Sequence, residues 1–178
     1  MQPCNASRAT WQSISMTAMY KNQRAQFDVD LWHDKKSQGE AFERRVIDLL
    51  RSHGHDAWKP TEPTYDLIIN LNVPLWGSYQ VTGECKYDAM AASTNHLALQ
   101  TWDGGKPRGI HPKASNPDLW IHGIGDEVWI IKTGIVQELV QTMGLAPVES
   151  GDPAARAKCV LLPIESARKL VGGTWLSL

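Results

Sequence analysis

Asp66-Leu-Ile-Ile-Asn-Leu71 and Tyr79-Gln-Val-Thr-Gly-Glu-Cys-Lys-Tyr87 decide how this chain is read. Both runs read as strands, and the intervening Val73-Pro-Leu-Trp-Gly-Ser78 is consistent with a hairpin loop. The second strand ends on Glu84-Cys85-Lys86, and Asp66 opens the first one eighteen residues earlier. Charged groups at the end of an apolar strand are unfavourable unless paired or metal-bound. The strand period of two puts Glu84 and Lys86 on one face, with Gln80 and Thr82 behind them, and puts Asp66 on a face with Ile68 and Asn70. If the strands pair, Asp66 and Glu84 converge on one oxygen-ligand site, and the backbone carbonyl of Cys85 is a further donor. Mg²⁺ takes about six oxygens, typically one or two carboxylates plus waters and substrate phosphate. The plain alternative is a solvated strand end in which Glu84 and Lys86 pair with each other.

Upstream, Ser37 to Ser52 reads as a helix with Phe42, Val46, Ile47, Leu49 and Leu50 on one face and Gly54 as its stop. At about 100° per residue, Glu43 lies roughly 50° from the mean apolar direction and Glu40 roughly 110° from it. Glu43 is therefore expected towards the sheet edge and Glu40 towards solvent. There Glu43 could join the site directly or through a metal-bound water, or form a salt bridge to Arg44, Arg45 or a neighbouring strand.

The remaining chain reads as α/β. Met90 to Trp102 is expected to be a helix carrying Asn95 and Gln100, and Asp118 to Gly123 and Glu127 to Lys132 to be strands. Thr133 is expected to cap a helix reaching about Met143, with Cys159 to Pro163 a last strand and Ile164 to Val171 a last helical turn or two. Alternating elements of this kind imply a mixed sheet flanked by helices. Residues 1–36 lack periodicity and read as an N-terminal arm, with the folded domain over 37–178. Phe27 to Trp32 within the arm reads as a short helix or an added strand.

At 178 residues and 42% hydrophobic, the chain can build a single core. Its net charge of −1 rules out a global basic field, so a polyanion must be met by a local patch or through metal. The Gly/Pro-rich loop Asp103 to Lys113 offers such a patch in Lys106, Arg108, His111 and Lys113, which could contact phosphates or be an ordinary exposed loop. Cys4, Cys85 and Cys159 form neither a disulfide framework nor a CxxC pair, which points to a reducing, cytoplasmic setting. No apolar run approaches the ~20 residues of a membrane span, and no long apolar leader core opens the chain. His53 and His55 lack a third ligand at a persuasive spacing and read as a helix-end pair. No phosphate loop or nucleophile elbow is present, and Cys85 reads as a buried small residue.

Gly39-Glu-Ala-Phe-Glu43-Arg-Arg, then Tyr65-Asp66-Leu-Ile-Ile, then Val81-Thr-Gly-Glu84-Cys-Lys86 resembles the PD-(D/E)xK nuclease superfamily, nearest to its archaeal Holliday junction resolvase branch. The resemblance covers residues 38–101, and Tyr65 stands where that superfamily commonly has proline. It implies a restriction-endonuclease-like fold, with Glu43 as the helix acid, Asp66 and Glu84 as metal ligands and Lys86 as the catalytic lysine. It further implies a Mg²⁺- or Mn²⁺-dependent endonuclease acting on DNA as a homodimer. In some branches the helix after the lysine strand adds a polar group, here Asn95 or Gln100. A structure-selective resolvase or repair nuclease is the alternative within this class, and a non-catalytic DNA-binding module the alternative outside it. A small stand-alone nuclease of this kind suits a phage, a mobile element or a restriction system, acting in the cytoplasm of the host cell.

Overall fold

The computed structural model describes residues 34–62, 64–114, 116–149 and 157–178. The expected arm, including Phe27 to Trp32, lies outside these residues up to position 33. The chain divides between Gln38 and Gly39 into two compact units. Of the first, only 34–38 are described, as the exposed opening of a helix, α1, that runs over 34–52. This helix starts three residues earlier than the apolar pattern alone suggests.

The second unit, Gly39–Leu178, holds the remaining elements in the order β1 (Asp56–Trp58), β2 (Leu67–Val73), β3 (Gly77–Tyr87), α2 (Ala91–Thr94), β4 (His96–Asp103), β5 (Lys106–Pro107), β6 (Leu119–Ile124), β7 (Glu127–Lys132), α3 (Thr133–Thr142), β8 (Val148–Glu149), β9 (Lys158–Pro163), α4 (Ile164–Arg168) and β10 (Gly173–Ser177). Six strands form one sheet in the order β1-β2-β3-β6-β7-β10. All its pairings are antiparallel except that of β3 with β6. A second, antiparallel sheet has the order β5-β4-β9-β8. The unit is thus mixed α/β, mostly antiparallel, and four helices are described. Among the described residues no helix is long and apolar enough to cross a membrane.

The six-stranded sheet packs on α1 with one face and, over β6 and β7, on the second sheet with the other. On one face Leu67, Ile69, Cys85, Ile121 and Val128 pack against Phe42, Val46, Ile47 and Leu50 of α1. On the other, Trp120, Ile124, Trp129 and Ile131 meet Leu97, Leu99 and Leu162 of the second sheet and Val136 of α3. Each such side chain contributes roughly 1.5–3 kcal/mol on full burial, so these two interfaces hold the layers together. Gly54, at φ 84°, ends α1 in the left-handed conformation, and the His55 N–H donates back to the Leu50 carbonyl at 3.0 Å.

One glycine fixes where α1 sits. A Cβ on Gly123 of β6 would fall within 2.3–2.8 Å of three ring atoms of Phe42, whose side chain is 3% exposed and has nowhere to turn. Because Phe42 precedes Glu43, the bare backbone of Gly123 also sets how closely that acid approaches the sheet. Gly123→Ala is expected to lower stability by about 1–3 kcal/mol in urea unfolding, the usual range for overpacking a core.

Three expectations about local structure are corrected. Met90 to Trp102 is not a helix: α2 stops after one turn at Asn95, whose φ of 58° is left-handed, and β4 follows. Leu97, Leu99 and Thr101 alternate with less buried neighbours, a period of two that tertiary burial against β9 makes decisive. The loop after Trp102 is in part a hairpin, because Gly104 and Gly105, at φ 55° and 80°, make the two-residue turn that pairs β4 with β5. Thr133 does not cap α3. It lies inside the helix, Lys132 is the cap residue, and Thr133 Oγ1 is buried without a hydrogen-bond partner among the described residues. The strand β10 lies beyond every element expected from the pattern. It is held by pairing with β7 and by Trp175 stacking on Trp129 at 6.0 Å.

Candidate metal and phosphate site

The hairpin ladder ends with Leu67 opposite Gly83, and Asp66, just before β2, is held to β3 by its own hydrogen bonds. The Asp66 N–H donates to the Gly83 carbonyl at 3.2 Å, and Asp66 Oδ2 accepts from the Cys85 N–H at 2.8 Å. An extended residue directs its N–H and C=O to the same side of the strand. The Cys85 carbonyl therefore faces the Asp66 side of β3, while its thiol is buried on the α1 face. That thiol is pushed well above its usual pKa, first by burial and then by the nearby Asp66, Glu43 and Glu84 carboxylates, which keeps it neutral.

Glu84 and Lys86 project from the opposite face of β3 and pair with each other, Nζ to Oε1 at 2.7 Å, with the side chains 21% and 34% exposed respectively. Burial pulls the Lys86 pKa down, but contact with Glu84 and the field of Asp66 outweigh it, and the net shift is upward. Lys86 is consequently an ammonium at neutral pH. Glu43 arrives from α1. It does not pair with Arg44 or Arg45 but with Lys59, just past β1, Nζ to Oε2 at 2.5 Å. The Glu43 carboxylate raises the Lys59 pKa against the opposing effect of burial, and Glu40 and Asp66 add to the rise. Glu40 is partly buried rather than on the solvent face expected for it.

The carboxylates of Glu43, Asp66 and Glu84 all lie near Cys85, Glu43 from the α1 side and Glu84 on the opposite face of β3. Each is turned to a partner of its own: Lys59, the Cys85 N–H and Lys86. Among the described residues no three His, Cys, Asp or Glu side chains are gathered closely enough to grip an ion as they stand. The donor chemistry nevertheless suits a hard divalent cation. It offers the Asp66 carboxylate just before β2, the Glu84 carboxylate on β3, the Cys85 carbonyl on the Asp66 side and a buried Glu43 oxygen.

Arg108 and Glu84 line one pocket of about 200 Å³, together with Thr64, Gly109 and Pro117. The loop is held there by the Arg108 N–H on the Thr101 carbonyl and the Ile110 N–H on the Gln100 carbonyl, both at 3.0 Å. Lys106 and Lys113 are exposed nearby in sequence. His111 turns inward instead, packing edge-on against Trp102 at 4.9 Å and accepting from the Lys113 N–H at 3.0 Å. Asn95 and Gln100 do not share a helix beside the site. The first is the left-handed residue ending α2, and the second pairs with Cys159 on β4. His53 and His55 are used locally, by the Leu49 carbonyl and the Asn72 N–H.

Sequence reasoning passed over Lys59, Asp88, His122 and Asp118. Asp88 continues the alternating row of Glu84 and Lys86, a period-two signal that could have exposed it. Its carboxylate accepts from the Met90 and Ala98 N–H groups, each at 3.0 Å, and so joins β3 to β4. The fully buried His122 is level with Lys86 in the β3–β6 register. It accepts on Nδ1 from the Trp120 indole N–H at 3.3 Å and turns Nε2 towards Asp88 Oδ2 at 3.7 Å. Asp118 clamps the start of β6 to β3, accepting from both the N–H and the hydroxyl of Thr82 at 2.8 and 2.9 Å. Each of these roles depends on which strands become neighbours, which spacing does not disclose.

Burial pushes the Asp88 carboxyl up, but His122 and the two N–H donors more than offset this, leaving its pKa below the usual carboxylate value. A depressed folded pKa gives stability that is complete above the unfolded value of about 3.9 and fades as pH falls through the folded value. Asp88→Asn is therefore expected to cost about 1–3 kcal/mol at neutral pH. In urea unfolding, its difference from the native protein should shrink as the pH is lowered below the ordinary carboxylate range.

No protein-family model, no curated protein and no solved structure matches this chain.

Proposed function

We propose that this protein is a metal-dependent endodeoxyribonuclease of the restriction-endonuclease-like kind, hydrolysing phosphodiesters at the edge where Asp66, Glu84 and Lys86 meet. The observation that carries the reading is the hold of Asp66 on β3 on either side of Glu84, through its N–H on the Gly83 carbonyl and its Oδ2 on the Cys85 N–H, with Lys86 paired to Glu84 on the same strand face. A mixed sheet with helices is the architecture the PD-(D/E)xK resemblance implies, and the parallel β3–β6 pair supports it. Asp66, Glu84 and the Cys85 carbonyl would hold Mg²⁺ or Mn²⁺, with Glu43 joining directly or through a water. Bound there, the ion would lower the pKa of a coordinated water and neutralise charge on the phosphoryl group.

The protein's own groups supply the rest. As an ammonium, Lys86 is a donor rather than a base. Released from Glu84, it orients the attacking water and stabilises the charge developing on a non-bridging oxygen. Arg108, which lines one pocket with Glu84, is placed to hold a phosphate through its fork of N–H donors. Lys106 and Lys113 extend that contact along the backbone without reading sequence. This local patch is how a chain of net charge −1 meets a polyanion. Two copies related by a two-fold axis would cut both strands, or a four-way junction.

The test is cleavage of supercoiled plasmid, linear duplex and branched DNA with Mg²⁺, with Mn²⁺ and with EDTA. Metal-dependent nicking or linearisation is expected, and preference for the branched substrate would assign the structure-selective class. Binding to DNA without cleavage under either metal would replace this reading with that of a binding module.

A further inference from the structure

We propose that Lys59 is a fifth member of this site, a positioning residue that competes with the divalent ion for the Glu43 carboxylate and so sets how tightly the ion is held. The inference rests on the metal-site reading above and adds a residue that the sequence motifs do not contain. Trp58 of β1 is opposite Ile68 of β2, which brings Lys59 level with Leu67 and beside Asp66. Its ammonium reaches the Glu43 oxygen at 2.5 Å although its own side chain is 51% exposed, whereas that of Glu43 is 15% exposed.

This asymmetry gives the pair its function. Glu43 Oε2 is buried against the Lys59 ammonium, and a cation is what keeps its charge tolerable there. Removing Lys59 from the pair without another positive charge would strand a buried carboxylate. The lysine itself sits on a flexible four-carbon stem already half in solvent, and leaving takes little. Pro60 holds the Lys59 backbone extended, so the departure is a side-chain rotation rather than a backbone movement. A divalent ion at Asp66 and Glu84 thus gains Glu43 only by exchange with Lys59.

Mn²⁺ titration of the full chain without DNA, followed by calorimetry, reads this exchange directly. Lys59→Met is expected to lower the Mn²⁺ Kd about three- to tenfold, the effect of deleting one partly solvated positive charge beside the site. Lys59→Gln is expected to do the same, and Lys59→Arg to stay within about twofold of the native protein because the pair survives. Lys158→Met removes an equal charge from the other sheet and is expected to leave the Kd unchanged. Circular dichroism melts confirm that each variant is folded. If both neutral variants bind Mn²⁺ no more tightly than the native protein while Asp66→Asn abolishes binding, Lys59 is a structural staple and the exchange is overturned, leaving the metal site intact. Absence of saturable Mn²⁺ binding to the native protein overturns both.

Discussion

Asp66→Ala is expected to reduce metal-dependent cleavage at least about a thousandfold, the loss of several kcal/mol of charge stabilisation at roughly 1.4 kcal/mol per factor of ten. The reason is positional. Asp66 is held against β3 by the Gly83 carbonyl and the Cys85 N–H, and it shares its side of β3 with the Cys85 carbonyl. The alanine variant also leaves the Cys85 N–H without its acceptor, a stability loss of about 1 kcal/mol. Asp66→Asn separates the two effects, because its amide oxygen can still accept that N–H while the charge is gone. Both variants should melt as folded proteins, and both should fail to bind Mn²⁺. Cleavage persisting in Asp66→Asn would move the metal elsewhere.

Lys86→Ala is expected to lower the single-turnover cleavage rate by about 10²–10³, the scale seen on deleting one preorganised donor to a developing oxyanion. Its signature differs from that of Asp66. Lys86 contacts Glu84 at 2.7 Å, so its removal frees a carboxylate, and Mn²⁺ binding should be kept or tightened while the rate collapses. The raised pKa of Lys86 gives a second mark. If the residue acts as an ammonium donor, the native rate should not fall with pH across neutrality through loss of a lysine proton. A general-base lysine would show the opposite trend, with the rate rising as that proton is lost.

Much of the site's core was legible because it is local. Glu84 and Lys86 lie on β3 and Asp66 just before β2, in one short hairpin, and a period of two puts Glu84 and Lys86 on one face. The approach of Glu43 followed from helix geometry, and its half-buried side chain agrees with it. What could not be read is non-local. Nothing in the spacing places Lys59 against Glu43, His122 level with Lys86 or Asp118 against Thr82, since each depends on the pairing of β1 with β2 or of β3 with β6. The helix expected over Met90 to Trp102 fails for a different reason. Leu97 and Leu99, two residues apart, share a strand face but not a helical one, and β9 pairs with the strand they form. The Gly104-Gly105 turn was likewise a readable hairpin signal beside that segment.

Exposure at the tip of the β2–β3 hairpin sets the site apart from ordinary surface. Leu75 and Trp76 are 104% and 85% exposed there, yet that loop carries no charge, whereas Glu84 and Lys86 lie at the far end of β3 and Asp66 just before β2. The strands themselves thus separate an apolar end from a charged one.

The most direct test of the central claim is the anomalous diffraction signal from a crystal soaked in Mn²⁺. The expected result is a peak bounded by the Asp66 and Glu84 carboxylates and the Cys85 carbonyl at about 2.1–2.3 Å, with Lys59 withdrawn from Glu43. A fully soaked crystal with no peak at this edge, or with its peak on other residues, would contradict the account.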